Sequence, residues 1–362
     1  MTLGDKITAF EKLGIFLEQF DRNGSQNILT YPWLEELNDK FLQPLELLIK
    51  EIPLHNPWFT EENVRFALGS IGRSLNAEDL SSWLRCYKLP SRLASPKTVA
   101  VIMAGNIPLV GFHDMLCVLI SGHRLLARLS SKDDKLPKII AEIICFIDKG
   151  FNDKIILKDG FLKGFDAVIA TGSNNTSRYF EYYFGRYPHI IRKNRNSVAI
   201  LDGFETPGDL ILLSNDVFRY FGLGCRNVSK IFVPSNYDFT PLSEAFACYR
   251  YLGDHNKWAN NYEYQRAIHL IDQITFMDME FFILREEKVS ASPISVINYE
   301  ETASVDEAME IIEKNRDQLQ CIISRKNLRG STIPPGKSQE PRVNEYADNA
   351  DTLEFLLKLH GS

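Results

Sequence analysis

Six consecutive residues, Gly222-Leu223-Gly224-Cys225-Arg226-Asn227, surround the cysteine whose setting best suits chemistry. It follows a segment in which Leu210, Leu213, Val217, Phe218 and Phe221 recur at helical spacing. It precedes an apolar run, Lys230-Ile231-Phe232-Val233-Pro234, that reads as a strand. Two glycines beside the sulfur permit a close approach of the backbone, so a substrate carbon can reach it. A thiolate in that setting attacks a carbonyl and holds the acyl group as a thioester. The other cysteines, Cys86, Cys117, Cys145, Cys248 and Cys321, are scattered, with no CxxC and no metal-ligand spacing. Cys117 and Cys145 stand among apolar residues and read as inert core. Neither a metal site nor a disulfide framework is expected.

Two polar turns could serve a second reactant. Val99-Ala100-Val101-Ile102-Met103 reads as a buried strand, broken by Ala104-Gly105-Asn106-Ile107-Pro108. Pro108 suits the first turn of a helix. Leu109, Phe112, Leu116, Leu119 and Ile120 continue that helix to a stop at Gly122, and Leu125 to Leu129 is the next strand. This βαβ unit carries its polar turn at the carboxyl end of a strand, the edge where open α/β sheets bind ligands. A second such turn, Thr171-Gly172-Ser173-Asn174-Asn175-Thr176, follows the strand Asp166 to Ala170 and leads into a helix from Arg178 to Phe184. Backbone N–H groups at such a helix start attract phosphate. Neither turn contains GxGxxG, and helix starts rich in Ser and Thr are also common for structural reasons alone.

The elements that must position these residues come next. A chain of 362 residues suggests two domains. Apolar residues are 44% and charged residues 24%, a globular composition. A net charge of −6 argues against general nucleic-acid binding. No apolar run is long enough for a membrane span. The N-terminus lacks a signal-peptide layout, so a cytoplasmic location is expected. Residues 1–98 read as helices with polar breaks. Val198 to Leu201 and Ser292 to Ile297 read as strands, Lys257 to Ile274 as largely helical, residues 327–344 as a loop, and Thr352 to His360 as a short helix or strand.

The order strand–Gly105-Asn106-Ile107-Pro108–helix–Gly122, then Thr171-Gly172-Ser173, then Gly222-Leu223-Gly224-Cys225, resembles the aldehyde dehydrogenase superfamily. It is most similar to the LuxC-type acyl-CoA reductases, which reduce fatty acyl groups to aldehydes with NADPH. The resemblance runs from about Val99 to about Leu357 and includes Tyr346-Ala347-Asp348-Asn349-Ala350-Asp351-Thr352; the first hundred residues match least. It implies an α/β, aldehyde dehydrogenase-like fold with two Rossmann-like α/β domains and the active site at their interface. The cofactor domain would span residues 1–195 with the tail 346–362, and the catalytic domain residues 196–345.

By position, Cys225 matches the nucleophile and Asn106 the asparagine whose amide faces the acyl oxygen; a turn residue before a helix is the bland reading of Asn106. Arg128-Leu129-Ser130-Ser131-Lys132 falls at the adenosine-ribose corner, with a solvated strand end as the alternative, and Gly105 is a further cofactor-binding residue. Ser131 stands where a glutamate favours NAD, so a neutral residue beside cations points to NADPH. Thr171, Gly172 and Ser173 match the loop near the pyrophosphate and nicotinamide. Glu287 matches a glutamate on the nicotinamide ribose, with Glu286 or a plain surface carboxylate as the alternative.

One departure informs the activity. Superfamily members that release acids use a glutamate as base for the hydrolytic water. The corresponding stretch here, Pro188 to Ser197, has no carboxylate. An acyl-enzyme would then persist until hydride arrives. Arg192, Lys193 and Arg195 in that stretch could meet phosphates of an acyl carrier, or form a solvated face. The substrates implied are acyl-CoA or acyl carrier protein, with an acyl-transferring or acyl-activating enzyme as possible partner, and superfamily members are commonly homo-oligomers. A small-aldehyde dehydrogenase and a non-catalytic acyl-binding protein remain the alternatives.

Overall fold

The computed structural model of the chain describes residues 1–21, 31–89, 95–172 and 174–359. They divide into two units, Met1–Lys193 with Pro341–Ser362, and Asn194–Glu340.

The first unit opens with helices α1 (Leu3–Glu18), α2 (Pro32–Leu37), α3 (Gln43–His55), α4 (Glu61–Ser74) and α5 (Ala77–Arg85). A reciprocal capping box between Thr2 and Asp5 starts α1. Then follow β1 (Thr98–Ile102), α6 (Phe112–Ser121), β2 (Arg124–Arg128), α7 (Leu136–Ile147), β3 (Ile155–Lys158), β4 (Ala167–Thr171), α8 (Asn174–Phe184) and β5 (His189–Arg192). A last helix, Thr352–Lys358, packs against α6.

All strands of this sheet are parallel, in the order β3-β2-β1-β4-β5. Both faces of β1 are covered, which explains its unbroken apolar run. Val99 and Val101 join the large core with α1, α4, α6 and α7, whereas Ala100 packs with Phe180 and Phe184 of α8.

The helix after β1 begins four residues later than its apolar spacing suggests. Pro108 lies in a turn, not in the helix, because Leu109 adopts a left-handed backbone (φ 56°). The far end agrees with expectation: Gly122 closes α6 at φ 94°.

The second unit contains β6 (Asn196–Ile200), α9 (Pro207–Phe218), β7 (Val228–Pro234), α10 (Thr240–Phe246), α11 (Asn256–Ile271), β8 (Met277–Asp278), β9 (Ile283–Glu286), β10 (Val296–Thr302), α12 (Val305–Lys314) and β11 (Leu319–Ile323). Its sheet order is β11-β6-β7-β10-β9-β8, parallel except for β8. Val198, Ile200, Phe232 and Ile322 pack against Ala308, Met309 and Ile312 of α12. Phe218 at the end of α9 meets the rings of Phe246, Tyr249, Trp258, Phe281 and Phe282 at centroid distances of 5.3–6.0 Å. The expected strand at Ser292 starts later, at Val296, because Ser295 is left-handed (φ 65°). Among the described residues no helix is long and apolar enough to cross a membrane, and no group of three or more His, Cys, Asp or Glu is placed to hold a metal ion.

Candidate active site

In the first unit, β2 lies on one side of β1 and β4 on the other. The loops leaving β1 and β4 therefore part at a topological switch point, where open α/β sheets bind ligands. Gly105 and Asn106 stand on one loop; Thr171 ends β4 and Gly172 opens the other. Ser173 lies outside the described residues. Gly105 is buried against the turn after β2: a Cβ there would stand 2.4 Å from Ser130 Oγ and 3.2 Å from Lys132 Cβ. Only glycine allows this approach. Arg128 ends β2 level with Ile102 of β1 and Lys158 of β3. Arg128, Ser131, Lys132 and Lys158 are exposed, so three cations stand along this part of the edge.

Two residues outside any recognised motif brace that edge. Asn56 of the N-terminal helices donates from Nδ2 to the Lys132 carbonyl at 3.1 Å. Asp133 is buried, and its Oδ2 accepts the Leu109 N–H at 2.7 Å, which fixes the left-handed residue behind Asn106. Burial pushes the Asp133 carboxyl up to about 7; the Leu109 bond opposes this and Asp134 adds to it.

The sign of the linkage follows. The folded state holds this proton more tightly than the unfolded chain. The stabilisation it brings is complete below the ordinary carboxylate range and is lost as pH rises through about 7. Asp133→Asn keeps an acceptor for Leu109 and carries no charge. It is expected to stabilise the protein by on the order of 2–4 kcal/mol near pH 8, and by less than half of that near pH 5. Thermal melts at the two pH values check this; an equal shift at both contradicts it.

In the second unit, Cys225 occupies a tight turn at the amino edge of β7. The chain leaves α9 through Tyr220 (φ 54°), Phe221 (φ 57°) and Gly222 (φ 68°). Phe221 thus lies beyond the helix that its spacing suggested. Two non-glycine residues in the left-handed region cost about 1–2 kcal/mol each. The surroundings hold them there. Asn227 is buried; its Nδ2 donates to the carbonyls of Asp216 (3.1 Å), Val217 (3.2 Å) and Arg219 (2.8 Å), capping the end of α9. Its Oδ1 accepts the Gly224 N–H at 2.8 Å, and its own N–H donates to the Gly224 carbonyl at 3.1 Å. Cys225 and Arg226 are the central pair of that turn. From β6, Ser197 Oγ donates to the Cys225 carbonyl at 2.9 Å and accepts the Cys321 N–H at 3.0 Å. Cys225 is half-buried, whereas Cys117 and Cys321 are buried and Cys86 and Cys248 exposed. Cys145 is only half-buried, less than expected of a core residue. Burial pushes the Cys117 thiol well up.

Asp216 anchors a neighbouring loop. Its carboxylate accepts the Gly336 N–H (2.6 Å), the Ser338 N–H (2.9 Å) and the Ser338 hydroxyl (2.7 Å). Burial nevertheless pushes its carboxyl up to about 6. Arg226 Nε donates to the Ser338 carbonyl, tying the same loop to the cysteine turn.

Glu287 and Cys225 are not brought together within this unit. Glu287 follows β9, and its N–H donates to the Tyr299 carbonyl, level with Ile231 of β7. Ile231 lies about 10 Å along the strand from Val228, which follows the cysteine turn. The Glu287 carboxylate accepts the N–H groups of Lys288 (2.8 Å) and Val289 (3.4 Å).

The basic stretch also differs from one reading of it. Arg192 is buried, paired with Asp114 at 2.6 Å and donating to Thr352 Oγ1 at 2.7 Å. It secures the C-terminal segment and does not face a carrier phosphate. Lys193 pairs with Glu181 at 3.3 Å, and Arg195 donates to the Leu319 carbonyl at 3.2 Å.

No protein-family model matches the chain, and no curated protein matches it in sequence. Solved structures do match. An aldehyde dehydrogenase of Mycobacterium tuberculosis complexed with NAD+ aligns with a TM-score of 0.59 at 13% identity, over 89% of this chain and 73% of that one. An acetylating aldehyde dehydrogenase of Geobacillus thermoglucosidasius aligns at 0.56 and 11% identity, over 89% and 76%. The chain has the aldehyde dehydrogenase-like fold. A third such structure, a Pseudomonas syringae enzyme with NAD+ and octanal, aligns at 0.57 and 12% identity, over 89% and 76%. On this aldehyde dehydrogenase-like frame, the switch-point loops and the cysteine turn were visible as glycine-bracketed motifs. Asn56, Asp133, Ser197 and Asp216 carried no comparable sequence signal, because each acts through a partner distant in the chain.

Proposed function

We propose that the protein is an acyl-thioester reductase. It takes a fatty acyl group from coenzyme A or an acyl carrier protein onto Cys225 and releases it as the aldehyde, using NADPH. The observation that carries this reading is the Cys225 turn: a half-buried cysteine, its turn's backbone held by Asn227 and Ser197, on an aldehyde dehydrogenase-like fold. The Geobacillus neighbour is an acetylating aldehyde dehydrogenase and the Pseudomonas neighbour was captured with octanal, both in keeping with interconversion of acyl groups and aldehydes.

The first unit fits a nicotinamide dinucleotide. The loop leaving β1 and the turn after β2 pack together where Gly105 has no side chain, and Arg128, Lys132 and Lys158 supply positive charge beside the neutral Ser131. Gly105, Arg128, Ser130, Ser131, Lys132, Thr171 and Gly172 would hold the cofactor, with Ser173 as the remaining assigned contact of this unit. Bound there, the cofactor supplies a hydride.

The chain's own residues do the rest. The Cys225 thiolate forms a bond to the acyl carbon as the carrier's C–S bond breaks, and the carrier leaves as a thiolate. The Asn106 amide donates to the acyl oxygen as negative charge develops on it. The stretch Pro188 to Ser197 offers no carboxylate to activate water, so the thioester survives. After two-electron reduction and protonation of the oxygen, the thiohemiacetal on Cys225 collapses, expelling the sulfur and releasing the aldehyde.

Cofactor choice has its own test. Ser131→Glu places a carboxylate where a 2′-phosphate would sit, and is expected to weaken NADPH binding at least about tenfold while sparing NADH. Fluorescence titration of both cofactors without acyl substrate reads this; equal effects on both contradict it. The NAD-bound neighbours favour a second reading, oxidation of an aldehyde with NAD+. Product analysis separates the two. Palmitoyl-CoA with NADPH should yield hexadecanal, whereas turnover only of an aldehyde with NAD+ would replace the proposal by its rival.

A further inference from the structure

We propose that Asn227 is the positioning residue of Cys225: it fixes the turn that aims the thiol, with Ser197 holding the same peptide from the other side. This rests on the assignment of Cys225 as nucleophile and extends it to a residue that takes no part in bond making.

The argument is geometric. The two Nδ2 hydrogens of Asn227 are shared among three carbonyls at the end of α9, so this side chain performs the capping that a helix end requires. A cap alone would involve only that end of the amide. Here the other end, Oδ1, grips the N–H of Gly224, the residue before the cysteine. The backbone N–H of Asn227 closes the turn on the Gly224 carbonyl. The two residues between these anchors, Cys225 and Arg226, have little freedom left. Ser197 Oγ then takes the Cys225 carbonyl at 2.9 Å and is itself oriented by the Cys321 N–H at 3.0 Å. Helix end, turn and strand β6 are thereby joined through one buried amide and one hydroxyl. The adjacent left-handed residues Tyr220 and Phe221 are the conformation the chain must adopt for the turn to reach this place. Attack on an acyl carbon demands a defined sulfur trajectory, so loosening the turn should affect acyl transfer far more than reaction with a small, undemanding alkylating agent.

Asn227→Asp is the direct test. It keeps the acceptor for Gly224 but turns an oxygen toward three carbonyl oxygens. Two rates are measured on the full-length protein: single-turnover acylation by dodecanoyl-CoA, and alkylation by iodoacetamide resolved by peptide mass spectrometry. Acylation is expected to fall about 100-fold, while alkylation of Cys225 stays within about threefold. The buried Cys117 and Cys321 should remain protected and the exposed Cys86 and Cys248 should react as before, which separates mispositioning from unfolding. Acylation within about threefold of the wild type in an intact fold overturns the inference. If Cys117 and Cys321 become reactive, the variant has unfolded and Ser197→Ala decides, since it removes one grip only. A loss of acylation of about tenfold or more at unchanged Cys225 alkylation supports the inference, and an unchanged rate overturns it. A Cys225→Ala control that still accepts the acyl group would refute the nucleophile assignment, a failure distinct from an Asn227→Asp variant that acylates normally.

Discussion

Cys225→Ala is expected to lose acyl transfer and aldehyde formation by about four orders of magnitude or more, because removal of a nucleophile leaves only binding and electrostatic contributions. The fold should persist. The residue is half-buried, and the bonds around the turn run through its backbone carbonyl and through Asn227, none of which the substitution removes. NADPH affinity should likewise be unchanged, since the residues assigned to the dinucleotide lie mainly in the first unit. Labelling with radioactive acyl-CoA, paired with cofactor titration on the same preparation, gives both readings. An alanine variant that labels at the wild-type rate is incompatible with the account. Loss of labelling together with loss of cofactor binding would mean only that the variant had misfolded, and Cys225→Ser then serves as the milder replacement.

Asn106→Ala carries the second large effect. A single donor aimed at a developing oxyanion contributes about 100- to 1000-fold in kcat. Asn106 is exposed on the loop that Asp133 braces through Leu109, and its truncation leaves that brace in place, so the protein should remain folded. The expected result is a kcat lowered by about 100-fold or more with KM little altered, the pattern of an interaction made mainly in the transition state. Asn106→Asp should be no better than Ala, because an ionised carboxylate accepts but does not donate. A kcat within about threefold of the wild type would return Asn106 to the role of a turn residue.

Local pattern was legible where local forces decide. The β-branched run at Val99 and the helix stop at Gly122 stand where the sequence put them, because burial on both sheet faces and a left-handed cap are written in the residues themselves. Boundaries set by distant partners were not legible. The start of α6 is displaced because Leu109 is held left-handed by Asp133, which lies 24 residues on. The end of α9 stops at Phe218, whose ring is enclosed by aromatics from three later segments, and Asn227 caps the helix from beyond the turn. Strand β5 went unread because its apolar signal is short and ends in Arg192, a charge that becomes tolerable in the core only through Asp114 and Thr352.

The candidate site divides in the same way. Cys225 and the two switch-point loops announce themselves by glycines next to reactive or polar residues. Asn56, Asp133, Ser197 and Asp216 are ordinary polar residues in sequence, and become significant only when the fold sets them against the backbone of those loops. Tyr346 to Thr352 resembled a family segment, and its place explains its composition. Trp83 Nε1 donates to the Tyr346 hydroxyl at 2.8 Å, and the Tyr87 hydroxyl donates to Asp351 at 2.7 Å, so the segment is docked onto the N-terminal helices by hydrogen bonds.

The central claim, a covalent acyl thioester on Cys225, is tested most directly by intact-mass spectrometry of the wild-type protein after incubation with acyl-CoA thioesters and no reductant. The account predicts a gain of one acyl group, mapped to the peptide containing Cys225, that disappears on addition of NADPH as the matching aldehyde is released. Aldehyde production from acyl-CoA without any such adduct, or an adduct mapped to another residue, would contradict it.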